Sequence, residues 1–260
     1  MTRPVVGVAG LGAMGRPIAE RLVRHGFPVI GLDPHGTASG VRMMPRLSEA
    51  DVVLVVVPTD DDVTEVVTGL LATPRRGQII AICSSVRPET CRTLAAAAAG
   101  HGVDVLDVAL TGGIRGAKGG TLNLLVGGDP AVARRMGDVL EAIASGYHVL
   151  GPVGAGQVAK AASNLIHWAE IVAIDEAMRL ADAYGVEPAA LRAALQHGGT
   201  DSRTLRELEL MRFTWYAKDI ETAEAMAAAV GRELPVAALS RRLMPEVTVA
   251  GIRDLLSPRP

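Results

Sequence analysis

Short apolar runs alternate with longer mixed runs along about the first 150 residues of the chain. The apolar runs end at glycine, proline or polar residues and have the length of strands. The predicted strands are Val5–Ala9, Phe27–Leu32, Val52–Val57, Gln78–Cys83, Val103–Leu110, Thr121–Val126 and Tyr147–Leu150. The mixed runs predict helices at Arg16–His25, Asp60–Leu71, Pro88–Ala99 and Pro130–Ala144. Strands that alternate with helices in this way are typical of a parallel sheet.

Segment 34–50 interrupts the alternation. Only 17 residues separate Asp33 from Asp51, and two prolines and two glycines fall among them. A full helix and strand hardly fit into such a segment. We therefore expect a truncated connection here.

The pattern changes at Gly151. From Val153 to Tyr184 there is no proline, and glycine occurs only in the first four residues, so this stretch predicts one long helix. Four more helices are predicted, at Pro188–His197, Ser202–Met211, Asp219–Val230 and Pro235–Met244. The predicted fold class is α/β, with a doubly wound Rossmann-type parallel sheet in residues 1–151 and an all-helical domain in residues 152–260.

Composition narrows the classes of function. A net charge of −2 gives no basic surface for nucleic acid or for an anionic membrane. No apolar run approaches the ~20 residues that cross a bilayer, and the first residues lack the layout of a signal peptide. Two cysteines, Cys83 and Cys91, are too few for a disulfide framework, and their spacing is not that of metal ligands. We therefore expect a cytoplasmic protein without a metal site.

The first predicted strand runs directly into a glycine-rich loop. Gly10, Gly12 and Gly15 form G-x-G-x-x-G between a strand and a helix, and Asp33 ends the next strand. These glycines allow a tight turn, close approach to a pyrophosphate and close packing of helix on strand. The predicted cofactor loop consists of Gly10, Leu11, Gly12, Ala13, Met14 and Gly15. The alternative is a strand–helix turn that binds no ligand.

Asp33 favours NAD over NADP. Its carboxylate is placed to accept hydrogen bonds from an adenosine ribose and would repel a 2′-phosphate. Pro34 and His35 supply no arginine for such a phosphate, although Arg42 in the shortened segment could do so. We therefore expect NAD, with NADP as the alternative.

A polar, glycine-rich turn ends the strand at 103–110. Thr111, Gly112 and Gly113 offer a hydroxyl and two unobstructed backbone N–H groups, which can hold a carboxylate. Ligands of open α/β sheets bind outside the carboxyl ends of the strands, where this turn should lie. An ordinary strand-ending turn explains the same residues equally well.

Lys160 and Asn164 share one face of the long helix, among small alanines. Burial disfavours the charged form of an amine, so Lys160 is suited to proton transfer near neutral pH. The chain has only three lysines, Lys118, Lys160 and Lys218, beside 23 arginines, and arginine does not deprotonate. The alternatives are a solvated lysine and, for His167 nearby, a core or rim position.

Together these motifs resemble the β-hydroxyacid dehydrogenase family, which includes 3-hydroxyisobutyrate dehydrogenases. The similar segments are Gly10–Pro17, Asp107–Gly113, Gly116–Leu122 with Val126–Gly128, Gly154–Asn164 and Lys218–Ile220. The resemblance implies that Lys160 is the catalytic acid/base, that Asn164 positions the substrate and that Thr111, Gly112 and Gly113 bind its carboxylate. It also implies that Val57, Pro58, Asp62, Ser85 and Lys218 line the cofactor.

The sequence departs from the family's pattern at several places. Ala109 and Thr111 stand where proline and serine are usual, and the chain is short at segment 34–50 and before Lys218. These differences leave the substrate and the shape of the pocket open. For Lys218 itself, a solvated charge at a helix start is the alternative, with Asp219 as the helix N-cap.

The resulting hypothesis is reversible hydride transfer between NAD(P) and a small β-hydroxy acid or its semialdehyde. Imine reductases resemble the same overall pattern and are the alternative enzyme class, but they generally have another residue at the position of Lys160. A catalytically inactive dinucleotide-binding protein is the alternative from another class. Members of the family are commonly homodimers or homotetramers, and we expect the same here.

Overall fold

A computed structural model describes residues 3–257 of the chain. It divides into two compact units, of which the first ends at Lys160 and the second begins at Ala161. Helix α7, Ala155–Ala183, runs through this boundary without interruption.

The first unit is built on one eight-stranded sheet. Its strands are β1 Val6–Ala9, β2 Val29–Leu32, β3 Arg42–Met43, β4 Val52–Val55, β5 Ile79–Ile82, β6 Asp104–Thr111, β7 Leu122–Gly127 and β8 Ala144–Gly151. Their order across the sheet is β3-β2-β1-β4-β5-β6-β7-β8. The order reverses between β1 and β4, which is where doubly wound sheets bind their ligands.

Helices cover both faces of this sheet. They are α1 Gly15–Arg24, α2 Asp60–Leu71, α3 Pro88–Ala99, α4 Gly113–Gly119, α5 Pro130–Arg135 and α6 Gly137–Ile143. One core buries Ile18 and Leu22 of α1 with Leu140 of α6, and the other buries Val63 of α2 with Leu94 of α3. The sequence expectation of a Rossmann-type α/β domain is confirmed.

The sheet differs from the predicted one at two strands. Segment 34–50 contains the two-residue strand β3, which pairs with β2 in parallel, so the truncated connection still reaches the sheet. Strand β7 runs antiparallel to β6. Only ten residues, 112–121, join these two strands, which is too few for the crossover that a parallel pair needs.

Two helices of the first unit also differ from the prediction. Helix α4 is absent from the predicted elements, and the single helix predicted at Pro130–Ala144 is two helices separated at Met136. Met136 leaves the helical conformation with φ −103° and ψ 15°, and Gly137 then begins α6. Strand β8 takes the residues from Ala144 onward.

The second unit is helical in the part that the structure describes. After α7 come α8 Pro188–Leu195, α9 Arg203–Glu207, α10 Tyr216–Ala229, α11 Pro235–Leu243 and α12 Val249–Leu256, with short 3₁₀ turns at Leu208–Leu210 and Met244–Glu246. Its core gathers Trp168, Ile171, Leu208, Ile220 and Ile252. Helix α12 was not predicted; the Thr248 hydroxyl caps it by accepting from the N–H of Gly251, 3.0 Å away.

No helix in the described range 3–257 is both long and apolar enough to cross a membrane.

Candidate active site

The carboxyl ends of three neighbouring strands, β1, β4 and β5, lie level with one another and with the middle of β6. Ala9 of β1 pairs with Val55 of β4, Val55 with Ile82 of β5, and Ile82 with Asp107 of β6. The segments that follow these positions contain most of the predicted site residues of the first unit. Strand β6 alone continues four residues further, to Thr111.

The glycine-rich loop follows β1 and leads into α1. A Cβ on Gly10, whose φ is +92°, would lie 2.3 Å from the carbonyl oxygen of Val56, and a Cβ on Gly15 would overlap the carbonyl of Gly10. A Cβ on Gly12 would meet nothing within 4 Å. Gly10 and Gly15 are therefore needed for packing, while Gly12 faces open space at the helix start.

Asp33 holds this loop in place. Its Oδ2 accepts from the N–H of Leu11 at 2.6 Å, and its Oδ1 accepts from His35 at 2.8 Å and Gly36 at 2.5 Å. Burial by itself raises the pKa of Asp33, but the three backbone donors outweigh burial, so the net pKa is lowered. The carboxylate stays ionised beside the loop.

Arg42 is engaged elsewhere. Its guanidinium lies 2.9 Å from Oε2 of Glu49, and both side chains are exposed. Arg42, which the sequence offered as a possible partner for a 2′-phosphate, therefore already has a carboxylate partner.

The loops after β4 and β5 are tied together by Ser84. Its hydroxyl donates to the carbonyl of Val55 and accepts from the N–H of Val57 at 2.9 Å. Val57 is half-buried, whereas Pro58 and Ser85 are exposed.

Asp62 has a structural partner. Its carboxylate accepts from the N–H and the hydroxyl of Thr59, and the Thr59 hydroxyl accepts from the N–H of Asp62. This reciprocal pair is a capping box at the start of α2. The predicted contact of Asp62 with the cofactor stays a prediction.

The predicted carboxylate turn connects β6 to α4. Gly112 and Gly113 have φ of +106° and +62°, and a Cβ on Gly113 would meet nothing within 4 Å. The hydroxyl of Thr111 donates to the carbonyl of Asn123 on β7 at 2.8 Å. Thr111 can therefore donate to a substrate only if its hydroxyl turns away from Asn123.

A buried carboxylate anchors the start of α7. Asp107 is 0% exposed, and it accepts from the N–H of Gly154 at 2.6 Å and of Gln157 at 2.9 Å. Burial raises the pKa of Asp107, and backbone N–H groups, including that of Gly156, offset only part of this rise.

Gln157 ties the same helix start to the loop after β5. Its side-chain amide donates to the carbonyl of Ser84 at 2.9 Å and accepts from the N–H of Val86 at 3.2 Å. Sequence reasoning assigned no role to Asp107 or Gln157. In the sequence, Asp107 is visible only as the first residue of the motif that ends in the glycine-rich turn. Its hydrogen-bond partners, Gly154 and Gln157, lie 47 and 50 residues away.

Lys160 and Asn164 follow Gly156 at four-residue intervals on one face of α7. A Cβ on Gly156 would lie 2.4 Å from the carbonyl oxygen of Leu125, so this face rests on the backbone of the sheet where the helix begins. Lys160 is half-buried one turn further on, and Asn164, in the second unit, is also half-buried.

Lys218 lies in the second unit, and its predicted role at the cofactor stays a prediction. The helix was expected to begin at Asp219, but α10 begins at Tyr216 after Trp215, so the expectation that Asp219 is the N-cap is wrong. The Asp219 carboxylate instead accepts from the indole N–H of Trp168 at 3.2 Å.

His167 contacts the Thr204 hydroxyl at 3.0 Å and packs against the ring of Trp168. These contacts agree with the core or rim position that was one reading of its sequence.

Across residues 3–257, no three His, Cys, Asp or Glu side chains are grouped so as to hold a metal ion. Both cysteines are buried and free, and burial raises the pKa of Cys83 to about 12.

Two family models together match most of the chain. The NAD binding domain of 6-phosphogluconate dehydrogenase matches residues 5–151, and the model described as NAD-binding of NADP-dependent 3-hydroxyisobutyrate dehydrogenase matches residues 154–255. The chain belongs to the β-hydroxyacid dehydrogenase family. The resemblance found in the sequence motifs is thereby confirmed.

Known relatives of this family are similar over long stretches. A probable 3-hydroxyisobutyrate dehydrogenase of Mycobacterium tuberculosis is 36% identical over 196 residues, which cover 72% of this chain and 67% of that protein. The 2-hydroxy-3-oxopropionate reductase of Escherichia coli K12 is 31% identical over 260 residues, or 92% of this chain and 90% of that protein. The solved structure of M. tuberculosis 3-hydroxyisobutyrate dehydrogenase with L-serine has a TM-score of 0.86, at 28% identity and 94% coverage of both chains.

The glycine-rich loop fits the nicotinamide dinucleotide that the family binds. The space over Gly12 admits a group close to the backbone, and the start of α1 presents N–H groups that favour a pyrophosphate. Asp33 stands at the end of β2, where a ribose hydroxyl can donate to it.

Proposed function

We propose that the protein is an NAD(P)-dependent oxidoreductase that interconverts a small β-hydroxy acid and its semialdehyde. The observation that carries this proposal is the location of Lys160. It lies one turn into the helix whose start is hydrogen-bonded to Asp107 in the middle of β6, in the sheet that also presents the glycine loop. The names of the two relatives described above, a dehydrogenase and a reductase of small hydroxy acids, support the same class of reaction.

Lys160 acts as the acid/base. As a neutral amine, its Nζ takes the proton of the substrate's β-hydroxyl while the carbon that bears this hydroxyl loses a hydride. In the opposite direction, the protonated amine polarises the aldehyde oxygen and donates a proton to it. The nicotinamide cofactor, when bound, accepts or returns the hydride.

The substrate's carboxylate binds at the turn after β6. The backbone N–H groups of Gly112 and Gly113 are its principal donors, because the hydroxyl of Thr111 is engaged with Asn123. Asn164, one turn beyond Lys160, positions the substrate. Val57, Pro58, Asp62, Ser85 and Lys218 belong to the proposed cofactor site on the strength of the family's motifs.

NAD is the preferred cofactor in this proposal. The Asp33 carboxylate would repel a 2′-phosphate, and Arg42 is paired with Glu49. We expect a higher kcat/KM with NAD than with NADP; a clear preference for NADP would overturn this reading of Asp33.

The cytoplasmic location and the homodimeric or homotetrameric state expected from the sequence belong to the same proposal.

The proposal is tested by activity and by one substitution. The protein is assayed in both directions with small β-hydroxy acids and semialdehydes, including sulfonate and phosphonate analogues. Lys160→Arg should lower kcat by about 10²–10⁴-fold, the typical share of acid–base catalysis, because the guanidinium stays protonated. Its cofactor dissociation constant, measured by NADH fluorescence, should match that of the unmodified protein.

Lys118→Arg is the matched control, since it makes the same replacement at an exposed position of α4. It should leave kcat unchanged. Wild-type turnover by Lys160→Arg would remove Lys160 from the mechanism. Cofactor binding without turnover of any hydroxy acid would favour the inactive dinucleotide-binding protein, and turnover of cyclic imines alone would favour an imine reductase.

A further inference from the structure

A carboxyl group buried in the first unit is held by backbone donors. The Asp107 carboxylate is 0% exposed and accepts from the backbone N–H groups at the start of α7. Such N–H groups have no partner within their own helix, and the helix dipole favours a negative charge beside them. The carboxylate thus caps a helix from a neighbouring strand.

The backbone around Asp107 is shaped to admit this contact. A Cβ on Gly127, across from Asp107 on β7, would lie 2.2 Å from Oδ1, and a Cβ on Gly156 would lie 2.8 Å from Oδ2. Any larger residue at either place would displace the carboxylate or the helix. The space is therefore fitted to one side chain in one position.

Gln157 supplies a second attachment to the same turn. It is 3% exposed, and its amide bridges the carbonyl of Ser84 and the N–H of Val86. The hydroxyl of Ser84 in turn holds the N–H of Val57. Hydrogen bonds thus connect the first turn of α7 to β6 and to the loops after β4 and β5.

Lys160 lies three residues beyond Gln157 and four beyond Gly156, so a shift of this turn moves its amine by a similar amount. We propose that Asp107, with Gln157, is a positioning residue that sets the location of the Lys160 amine without contacting the substrate. The inference rests on the proposed acid/base role of Lys160. It explains why a buried carboxyl group is kept at this position, where an apolar residue would avoid the cost of burial.

The first test is kinetic. Asp107→Asn keeps the size of the side chain but can accept on only one atom, so either Gly154 or Gln157 loses its partner. Displacement of a reacting group by about 1 Å can cost on the order of a hundredfold in rate, so we expect kcat to fall at least about tenfold. KM for the cofactor should stay within about twofold, because the glycine loop and Asp33 are untouched.

Asp129→Asn is the matched control. The Asp129 carboxylate also caps a helix, accepting from Ala131 at the start of α5, but that helix contains none of the proposed site residues. It should leave kcat unchanged. Two results would contradict a positioning role for Asp107: an equal fall in kcat in both variants, or a rise in the cofactor KM with no change in kcat.

The second test is independent of turnover. Because the chain has only three lysines, reductive ¹³C-methylation gives three lysine signals, and Lys160→Arg identifies the one from Lys160. Asp107→Asn should shift that signal and leave those of Lys118 and Lys218 in place. An unmoved Lys160 signal in a folded variant would overturn the inference, whether or not the protein turns over hydroxy acids.

A second variant and the methyl signals cover the cases in which Asp107→Asn does not fold or the protein has no activity. If Asp107→Asn does not fold, Gln157→Ala removes the second attachment and should give the same pattern with a smaller loss of kcat. If the wild-type protein turns over no substrate of the panel, the proposed function fails, while the methyl signals still report on the position of Lys160. If turnover is normal and Asp107→Asn changes neither kcat nor the signal, the positioning role fails alone.

Discussion

Asp33 serves two neighbouring segments with one carboxylate. Its position at the end of β2 followed from the spacing of the glycine motif, but its bonds to Leu11, His35 and Gly36 did not. Those bonds depend on how the shortened segment folds back after the strand, which no local pattern specifies. The carboxylate therefore holds the glycine-rich loop and the start of the shortened segment, in addition to the ribose contact proposed for it.

Replacing Asp33 should weaken NAD binding and relax cofactor choice together. Hydrogen bonds to a charged group contribute about 1.5–3 kcal/mol, so Asp33→Ser should lower kcat/KM with NAD by at least about tenfold. It should lower kcat/KM with NADP much less, because the repulsion of the 2′-phosphate is removed as well. Steady-state kinetics with both cofactors measures this; an unchanged ratio would show that Asp33 does not discriminate.

Asp107 marks the limit of prediction at the scale of single residues. Lys160, Asn164 and the glycines are visible in the sequence because their motifs are local. The contacts of Asp107 and Gln157 join residues 47 to 73 positions apart and arise only after the sheet has assembled. The partner of Thr111, the carbonyl of Asn123, is hidden for the same reason.

Among elements, those with strong local signals were predicted most accurately. The bounds of α2 and α3 are those expected, since a capping box begins α2 and a proline stands at the first turn of α3. Helix α4 was missed because three of its seven residues are glycines, which are poor helix formers. Packing stabilises it instead: Ala117 is buried, and a Cβ on Gly116 would lie 3.1 Å from Leu122.

The capping box of α2 should contribute to stability by itself. Thr59→Ala removes the hydroxyl that accepts from Asp62, and the loss of such a cap typically costs about 1 kcal/mol. Thr64→Ala on the same helix is the control, since the Thr64 hydroxyl donates only to a carbonyl already within the helix. Urea unfolding followed by circular dichroism should show a lower midpoint for Thr59→Ala alone. Equal midpoints would mean that the cap contributes nothing.

For the whole molecule, the two shifted carboxyl groups act on stability in opposite directions. The pKa of Asp33 is lowered on folding, so its contribution is present above pH 3.8 and is lost as the pH falls through the folded value. The pKa of Asp107 is raised, so the folded state binds its proton more tightly. Its contribution to the free energy of unfolding is therefore largest below pH 3.8 and decreases as the pH rises through the raised value.

The raised pKa of Asp107 predicts a measurable dependence of stability on pH. The difference in unfolding free energy between the wild-type protein and Asp107→Asn should shrink as the pH rises from 3.8 through the raised pKa, and then become constant. Urea titrations at closely spaced pH values measure it. A difference that grows over this interval would mean that the folded protein favours the ionised form of Asp107.

The chemistry of the two cysteines makes the protein convenient for spectroscopic distance measurements. Cys83 and Cys91 are buried, and burial raises the pKa of both thiols, so neither presents a reactive thiolate at neutral pH. A maleimide dye or spin label should thus attach selectively to a cysteine engineered on the surface, without first removing the native ones. Two such labels within one unit would give the distance between two chosen surface positions of that unit.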